Sequence, residues 1–200
     1  LTETAARAEG CDVETVVAVV DDKAHYYPSA GSFIVKLTAD KATRKLLGVQ
    51  VLGAGAVDKI TDIGVTAISL GATVDQLAVM DFAYAPPFST AIHPFAHSVN
   101  ILMNKLDGEL ETLTPAEFAA GAAEGYEIID CAIEPSLPGK KYLNLTKVDG
   151  EVPGLGREDK LLLVCAKGKR AYLTQNRLKF YGYVNTRVLE GGTTFNEIEE

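Results

Sequence analysis

The chain has 200 residues, of which 47% are hydrophobic and 23% are charged, and its formal net charge is −8. This composition excludes a disordered chain, which would combine low hydrophobicity with high net charge. The acidic balance disfavours nucleic acid as a partner, because binding it requires neutralised phosphates. No apolar run approaches the ~20 residues of a membrane helix. Three cysteines form neither a disulfide framework nor a zinc pattern, so we expect a cytoplasmic protein.

Residues 1–106 have the pattern of strands followed by helices. A β-branched apolar run predicts a strand at Thr15–Val20, and period-two alternation of apolar residues predicts two more, at Phe33–Leu37 and Leu47–Val51. Helical spacing then predicts three helices: Val57–Ile68, Val74–Met80 and Ser89–Leu106. Strands followed by helices indicate an α+β domain built on an antiparallel sheet.

Residues 107–200 alternate between helix and strand. Thr114 and Glu117 form a capping-box pattern with a proline between them, which predicts a helix start. A second helix is expected over Lys169–Tyr181, ended by a glycine. Strands are expected at Ile128–Asp130, Leu161–Cys165 and Thr186–Leu189, the last closed by Gly191 and Gly192. This alternation predicts a small α/β domain with a parallel sheet, and the domains are therefore taken as 1–106 and 107–200.

Cys165 stands where a buried strand passes directly into a helix. Ligands of open α/β sheets bind at this end of the strands, and the unpaired N–H groups of the loop and helix start favour negative charge there. Gly168 permits a tight backbone path. Between Lys160 and Leu189 there are seven basic residues and no acidic one, which predicts a local basic patch and favours an anionic small substrate. The alternative is that Cys165 is simply a small buried side chain.

The segment from Cys165 to Arg170 resembles the active-site loop of rhodanese domains, Cys-x-x-Gly-x-Arg. The stretch Leu189–Gly192 resembles the end of the same domain, and the likeness covers roughly residues 112–196. It implies that Cys165 carries sulfane sulfur as a persulfide. It also implies that Arg170 and the loop residues hold the negative charge, the loop residues being Ala166, Lys167, Gly168 and Lys169. Cys11 and Cys131 are interpreted as structural.

The first half resembles the dimerisation domain of pyridine nucleotide-disulfide oxidoreductases. The pieces are Tyr26–Pro28, Leu47–Gly53, Val57–Lys59 and Tyr84–Ser89, in the family's order. The branch most similar is the coenzyme A disulfide and persulfide reductases, some of which carry a C-terminal rhodanese domain. On residues alone, Tyr84 with its two following prolines is more typical of a rigid connector.

This resemblance implies a homodimer in which Tyr26 and Tyr84 assist the partner subunit's active site. It implies that the chain is the C-terminal part of a longer reductase using FAD and NAD(P)H, whose binding domains are absent here, so no cofactor is expected in this part. Its substrate would be a small thiol, a persulfide or a coenzyme A-type molecule. Two other functions stay open: a self-contained sulfurtransferase, and a non-catalytic dimerising module with a degenerate rhodanese fold.

Two weaker motifs are also present. His93 and His97 are four residues apart on one predicted helical face, but no third ligand is evident and no metal site is predicted. Gly53 and Gly55 lack the full Gly-x-Gly-x-x-Gly pattern of a dinucleotide site and are interpreted as a strand-to-helix turn.

Overall fold

The computed structural model describes residues 1–199. The chain divides into two compact units, the first over Leu1–Asp107 and the second beginning at Gly108. Each unit has its own sheet, and the two sheets differ in kind. One has three strands in chain order: β1 (Val13–Asp21), β2 (Ser32–Asp40) and β3 (Leu46–Gly53). The other has five strands, in the order β4 (Thr112–Leu113), β8 (Thr186–Leu189), β7 (Leu161–Val164), β5 (Glu127–Asp130) and β6 (Lys141–Tyr142).

The first unit is an antiparallel meander covered by helices. Every strand pair in it is antiparallel, as the period-two alternation predicts. Its core brings together β2 residues such as Val35 and Leu37 with Phe95, Val99 and Leu102. The elements are α1 (Glu3–Ala8), β1 (Val13–Asp21), β2 (Ser32–Asp40), β3 (Leu46–Gly53), α2 (Val57–Ser69), α3 (Val74–Ala78) and α4 (Pro94–Leu106).

The last helix of this unit starts later than the sequence pattern predicts. We expected a helix from Ser89, but α4 begins at Pro94. His93 is extended, with φ −54° and ψ 139°, because the residue before a proline avoids the helical region. Its imidazole Nδ1 accepts a hydrogen bond from the Phe95 amide at 3.2 Å. The ring also stacks on Phe82, with centroids 4.7 Å apart, so His93 is the N-cap of α4.

This capping histidine makes the stability of the first unit depend on pH. Burial, aided by the charge of Lys59, lowers the pKa of His93 to about 4. The neutral form is therefore favoured by folding, and its contribution is complete above about pH 6.5 and lost as the pH falls towards 4. We expect a loss of about 2 kcal/mol between pH 7 and pH 5, measured by urea unfolding.

The matched control is His93→Asn, which keeps a side-chain cap and does not titrate. Its unfolding free energy should change much less between pH 7 and pH 5 than that of the wild type. Equal pH dependence in the two proteins would show that His93 is not the titrating group.

The second unit is an all-parallel sheet with helices. Its central strand β7 is buried along its whole length and pairs with β5 on one side and β8 on the other. The predicted capping box of Thr114 and Glu117 is present. The elements are β4 (Thr112–Leu113), α5 (Pro115–Ala119), β5 (Glu127–Asp130), β6 (Lys141–Tyr142), a 3-10 turn (Leu145–Lys147), β7 (Leu161–Val164), α6 (Lys169–Phe180), β8 (Thr186–Leu189) and α7 (Gly192–Phe195).

Thr186 in β8 carries a buried hydroxyl without a hydrogen-bond partner among residues 1–199. Replacing it with valine keeps its shape and removes the unpaired group, so Thr186→Val should stabilise the second unit by about 1 kcal/mol. Thermal unfolding should shift upward by about 4–8 °C. The equally buried Thr174 donates to the Arg170 carbonyl at 2.9 Å, and Thr174→Val should lower the midpoint. A lower midpoint for Thr186→Val would contradict this expectation.

None of the helices described between residues 1 and 199 combines the length and apolar character needed to cross a bilayer.

Candidate functional site

Cys165 is the first residue after β7 and is only 4% exposed. The chain turns through Gly168, which has φ +87° and is the N-cap of α6. The first N–H groups of a helix have no partner within it. They therefore face the loop that begins at Cys165 and favour negative charge there. This confirms the predicted passage from strand to helix, although the strand itself ends at Val164.

A pocket of about 480 Å³ opens beside this loop. It is lined on one side by the loop and the start of α6, and on the other by the residues that follow β5. Its charged members are three cations and one carboxylate. The lining residues are Ala132, Ile133, Glu134, Cys165, Ala166, Lys167, Lys169 and Arg170.

Arg170 joins the two walls of the pocket. Its Nε donates to the backbone carbonyl of Cys131 at 3.1 Å. The backbone carbonyl of Arg170 in turn accepts from the Thr174 hydroxyl at 2.9 Å. Arg170, which the resemblance to rhodanese domains implies holds negative charge, thus also fixes the loop after β5.

Asp130 organises the second wall. This carboxylate is 1% exposed and accepts backbone N–H bonds from Ala132 at 2.9 Å, Ser136 at 2.5 Å and Leu137 at 2.9 Å. The Ser136 hydroxyl also donates to it. One buried side chain therefore holds the whole loop that carries Ile133 and Glu134 into the pocket.

The short helix α7 donates hydrogen bonds to the loop that begins at Cys165. The sequence pattern does not predict this helix. The Thr193 amide donates to the Cys165 carbonyl at 3.1 Å, and the Thr194 amide donates to the Ala166 carbonyl at 3.0 Å. Gly192 begins this helix with φ +51°. The sequence pattern at Gly191 and Gly192 predicts only the end of a strand. Two consecutive glycines directly after a strand are the signal that could have indicated a close backbone approach.

The seven basic residues do not form one patch, which corrects the expectation from sequence. Lys179 and Arg187 form ion pairs with Glu111. Arg177 donates to the Val148 carbonyl, and Lys160 lies over the Tyr126 ring. The pocket keeps only the other three: Lys167, Lys169 and Arg170.

Cys131 lies fully buried beside this site, with its sulfur donating to the Ile129 carbonyl at 3.6 Å. The pKa of Cys131 is raised to about 12, mainly by burial. Hydrogen bonding from Thr174 acts in the opposite direction, and the neighbouring Cys165 and Asp130 add to the increase. This thiol is therefore protonated at neutral pH.

The two tyrosines predicted to be functional lie on exposed segments of the first unit. Tyr26 is 66% exposed and Tyr84 is 52% exposed. Tyr26 belongs to a loop closed by Asp22, whose carboxylate accepts from the Gly31 amide at 2.7 Å, and its ring packs on Tyr27 at 5.1 Å. Both tyrosines are thus more than half exposed, and a side-chain hydrogen bond holds the loop that carries Tyr26.

The remaining motifs do not supply a further site. Among residues 1–199 no group of three or more His, Cys, Asp or Glu side chains is placed to hold a metal ion, and His93 caps a helix instead. Gly53 ends β3 and leads into α2, as predicted. That strand belongs to an antiparallel sheet, whereas a dinucleotide fingerprint requires a parallel βαβ unit. The Gly53–Gly55 turn therefore does not have the geometry of a dinucleotide-binding turn.

Comparison with known proteins shows what the first unit is similar to. Residues 1–96 match the family described as pyridine nucleotide-disulphide oxidoreductase, dimerisation domain. This match supports the resemblance seen in the tyrosine and proline segments.

Two solved structures are similar to nearly the whole chain. A NAD-dependent persulfide reductase from A. fulgidus is 34% identical, with a TM-score of 0.89 over 98% of this chain and 36% of its own. The reduced Bacillus anthracis CoADR-RHD is 27% identical, with a TM-score of 0.85 over 96% of this chain and 35% of its own.

Among curated proteins, the NAD(P)H sulfur oxidoreductase (CoA-dependent) of Pyrococcus furiosus is 37% identical over 102 residues, which are 51% of this chain and 23% of that protein. The chain thus spans about a quarter of this relative and about a third of the two solved structures.

Proposed function

We propose that the second unit is a rhodanese-like carrier of sulfane sulfur in a disulfide or persulfide reductase that dimerises through its first unit. The observation that carries this proposal is the place of Cys165. Its thiol stands at the end of a buried parallel strand, at the N-terminus of α6, on the wall of a pocket with three cations. A nucleophilic sulfur and an anion-binding backbone meet at that point.

In the proposed step, the Cys165 thiolate attacks the outer sulfur of a persulfide, R–S–SH. The sulfur–sulfur bond of the donor breaks, the thiolate R–S⁻ leaves, and Cys165 becomes a persulfide. The helix N–H groups and the pocket side chains Lys167 and Lys169 stabilise the negative charge on donor and product. Arg170 holds the two pocket walls together through its bond to the Cys131 carbonyl.

The proposed substrate class is based on the names of the similar proteins. Their names specify persulfide reduction and dependence on coenzyme A, which supports a coenzyme A-type thiol or persulfide here. In the whole enzyme, FAD and NAD(P)H would supply the electrons, and this part of the reaction is not assigned to the described residues. We further propose that Tyr26 and Tyr84, as exposed phenols, donate hydrogen bonds to sulfur in the homodimer.

Intact mass spectrometry tests the sulfur-carrying step directly. After exposure to glutathione persulfide or thiosulfate, the chain should gain the mass of one sulfur atom, and cyanide should remove it. Cys165→Ser should gain none, whereas the control Cys11→Ser, which alters a half-buried cysteine of the first unit, should load fully. A wild-type mass that stays that of the reduced chain with either donor, with neither a gain of sulfur nor a loss of two hydrogen atoms, would favour a non-catalytic dimerising module.

A further inference from the structure

Cys131 and Cys165 occupy equivalent positions on two neighbouring strands. β5 and β7 pair in parallel with Asp130 opposite Val164, and the two cysteines are the next residues on each strand. The pairing continues to them, because the Cys131 amide donates to the Val164 carbonyl at 2.7 Å. The register thus places one cysteine beside the other at the same edge of the sheet.

The strand register also favours the same face of the sheet for the two cysteine side chains. Ile129 lies opposite Leu163, and both are fully buried. Side chains alternate along a strand, so residues two positions further on return to the same face. Neighbouring strands are about 4.8 Å apart, which falls within the roughly 4.4–6.8 Å between α-carbons that a disulfide bridges.

Burial limits what the Cys131 thiol can react with. Its side chain is 0% exposed, packed against Ile129 and the Thr174 hydroxyl of α6. A thiol or disulfide in solution cannot reach it without opening the unit. Cys165, by contrast, lines the pocket and can take sulfur from solution. Sulfur carried by Cys165 would therefore be brought close to Cys131.

On the basis of the sulfane-sulfur function proposed above, we propose that Cys131 is a second reacting thiol that discharges the Cys165 persulfide as hydrosulfide. The Cys131 sulfur attacks the Cys165 Sγ, and the bond from that Sγ to the outer sulfur breaks. The outer sulfur leaves as HS⁻ with the proton of the Cys131 thiol. Cys131 is oxidised, the sulfane sulfur is reduced to sulfide, and a Cys131–Cys165 disulfide remains.

The electrostatics of Cys131 fit a thiol that reacts only within the site. Because burial raises its pKa to about 12, it stays protonated and inert in the resting protein. Its thiolate fraction increases about tenfold per pH unit below that value. Discharge should therefore accelerate between pH 7 and pH 9.

The experiment compares wild type, Cys165→Ser, Cys131→Ser, Cys131→Ala and the control Cys11→Ser. Each is loaded with glutathione persulfide, freed of donor, and followed by intact mass and by released hydrosulfide. Wild type and Cys11→Ser should release one equivalent of hydrosulfide and finish two hydrogen atoms lighter than the reduced chain. Trypsin should then yield linked peptides containing Cys131 and Cys165, which dithiothreitol separates. Both Cys131 variants should hold their persulfide at least ten times longer.

The outcomes separate the two proposals. If the wild type and all variants except Cys165→Ser load, but wild type and the Cys131 variants lose sulfur equally fast, the role of Cys131 is overturned and the carrier function stands. If none of them loads, both fall. Diamide treatment of the unloaded wild type gives a second measurement, because it should form the same linked peptide without any sulfur donor. Linkage to Cys11 instead would contradict the juxtaposition.

Discussion

Replacing Gly192 with alanine is expected to destabilise the second unit by about 3 kcal/mol or more. A β-carbon there would stand 2.6 Å from the Ala166 carbonyl oxygen and closer still to that of Cys165. Both are backbone atoms that accept hydrogen bonds from α7, so they cannot move aside without losing Thr193 and Thr194 as donors. The loop that holds Cys165 would open, and the half-time for alkylation of this thiol by iodoacetamide should fall at least tenfold.

The control for this change is Gly121→Ala. Gly121 also has a positive φ, +87°, but a β-carbon there would meet nothing within 4 Å. Gly121→Ala therefore has the cost of a positive φ but no steric clash. It should destabilise by about 1 kcal/mol and leave the alkylation rate of Cys165 unchanged. Equal effects of the two alanines, measured by thermal unfolding and alkylation, would mean that α7 does not support the cysteine loop.

Asp130→Ala is expected to open the other wall of the pocket. It removes an acceptor used by the amides of Ala132, Ser136 and Leu137. Leaving these donors unpaired should cost about 3 kcal/mol in unfolding free energy. Trypsin should cut after Lys140, at the end of this loop, at least ten times faster in the variant under native conditions.

Asp159→Ala is the matched comparison. Asp159 is exposed and accepts from the Gly156 amide at 2.6 Å, so its loss should cost below about 1 kcal/mol. Cleavage after Lys140 at the wild-type rate in Asp130→Ala would show that the loop keeps its shape without the buried carboxylate.

The sequence was sufficient to predict the elements whose pattern is local. Alternation in Phe33–Leu37 predicts β2, and the apolar run from Leu161 predicts β7. Thr114 predicts the start of α5, because its own side chain caps that helix. The error at Ser89 arose because apolar spacing continued across a boundary that Pro94 sets. The two-residue strands β4 and β6 could not be predicted, because they exist only through pairing with β8 and β5.

The position of the candidate cysteine and the loop after it could be predicted from the sequence, but the contacts that hold this loop could not. Cys165 and Gly168 are adjacent in sequence to the turn they form. The bond from Arg170 to the Cys131 carbonyl depends on strand order, which no local pattern encodes. The same holds for Cys131, which has no near neighbour of its own kind in the sequence and meets Cys165 only through the register of two strands.

The pairing of β4 with β8 has a consequence for how the second unit can be combined with other proteins. The Val188 amide bonds to the Glu111 carbonyl, and the Glu190 amide bonds to that of Leu113. The first and last strands of this sheet are therefore neighbours, with β4 at the edge and β8 beside it. Domain insertion is tolerated where the two ends of a unit lie close together, and neighbouring first and last strands favour that arrangement. Grafting 108–199 as an insertion, rather than only as a tail, is thus open to engineering.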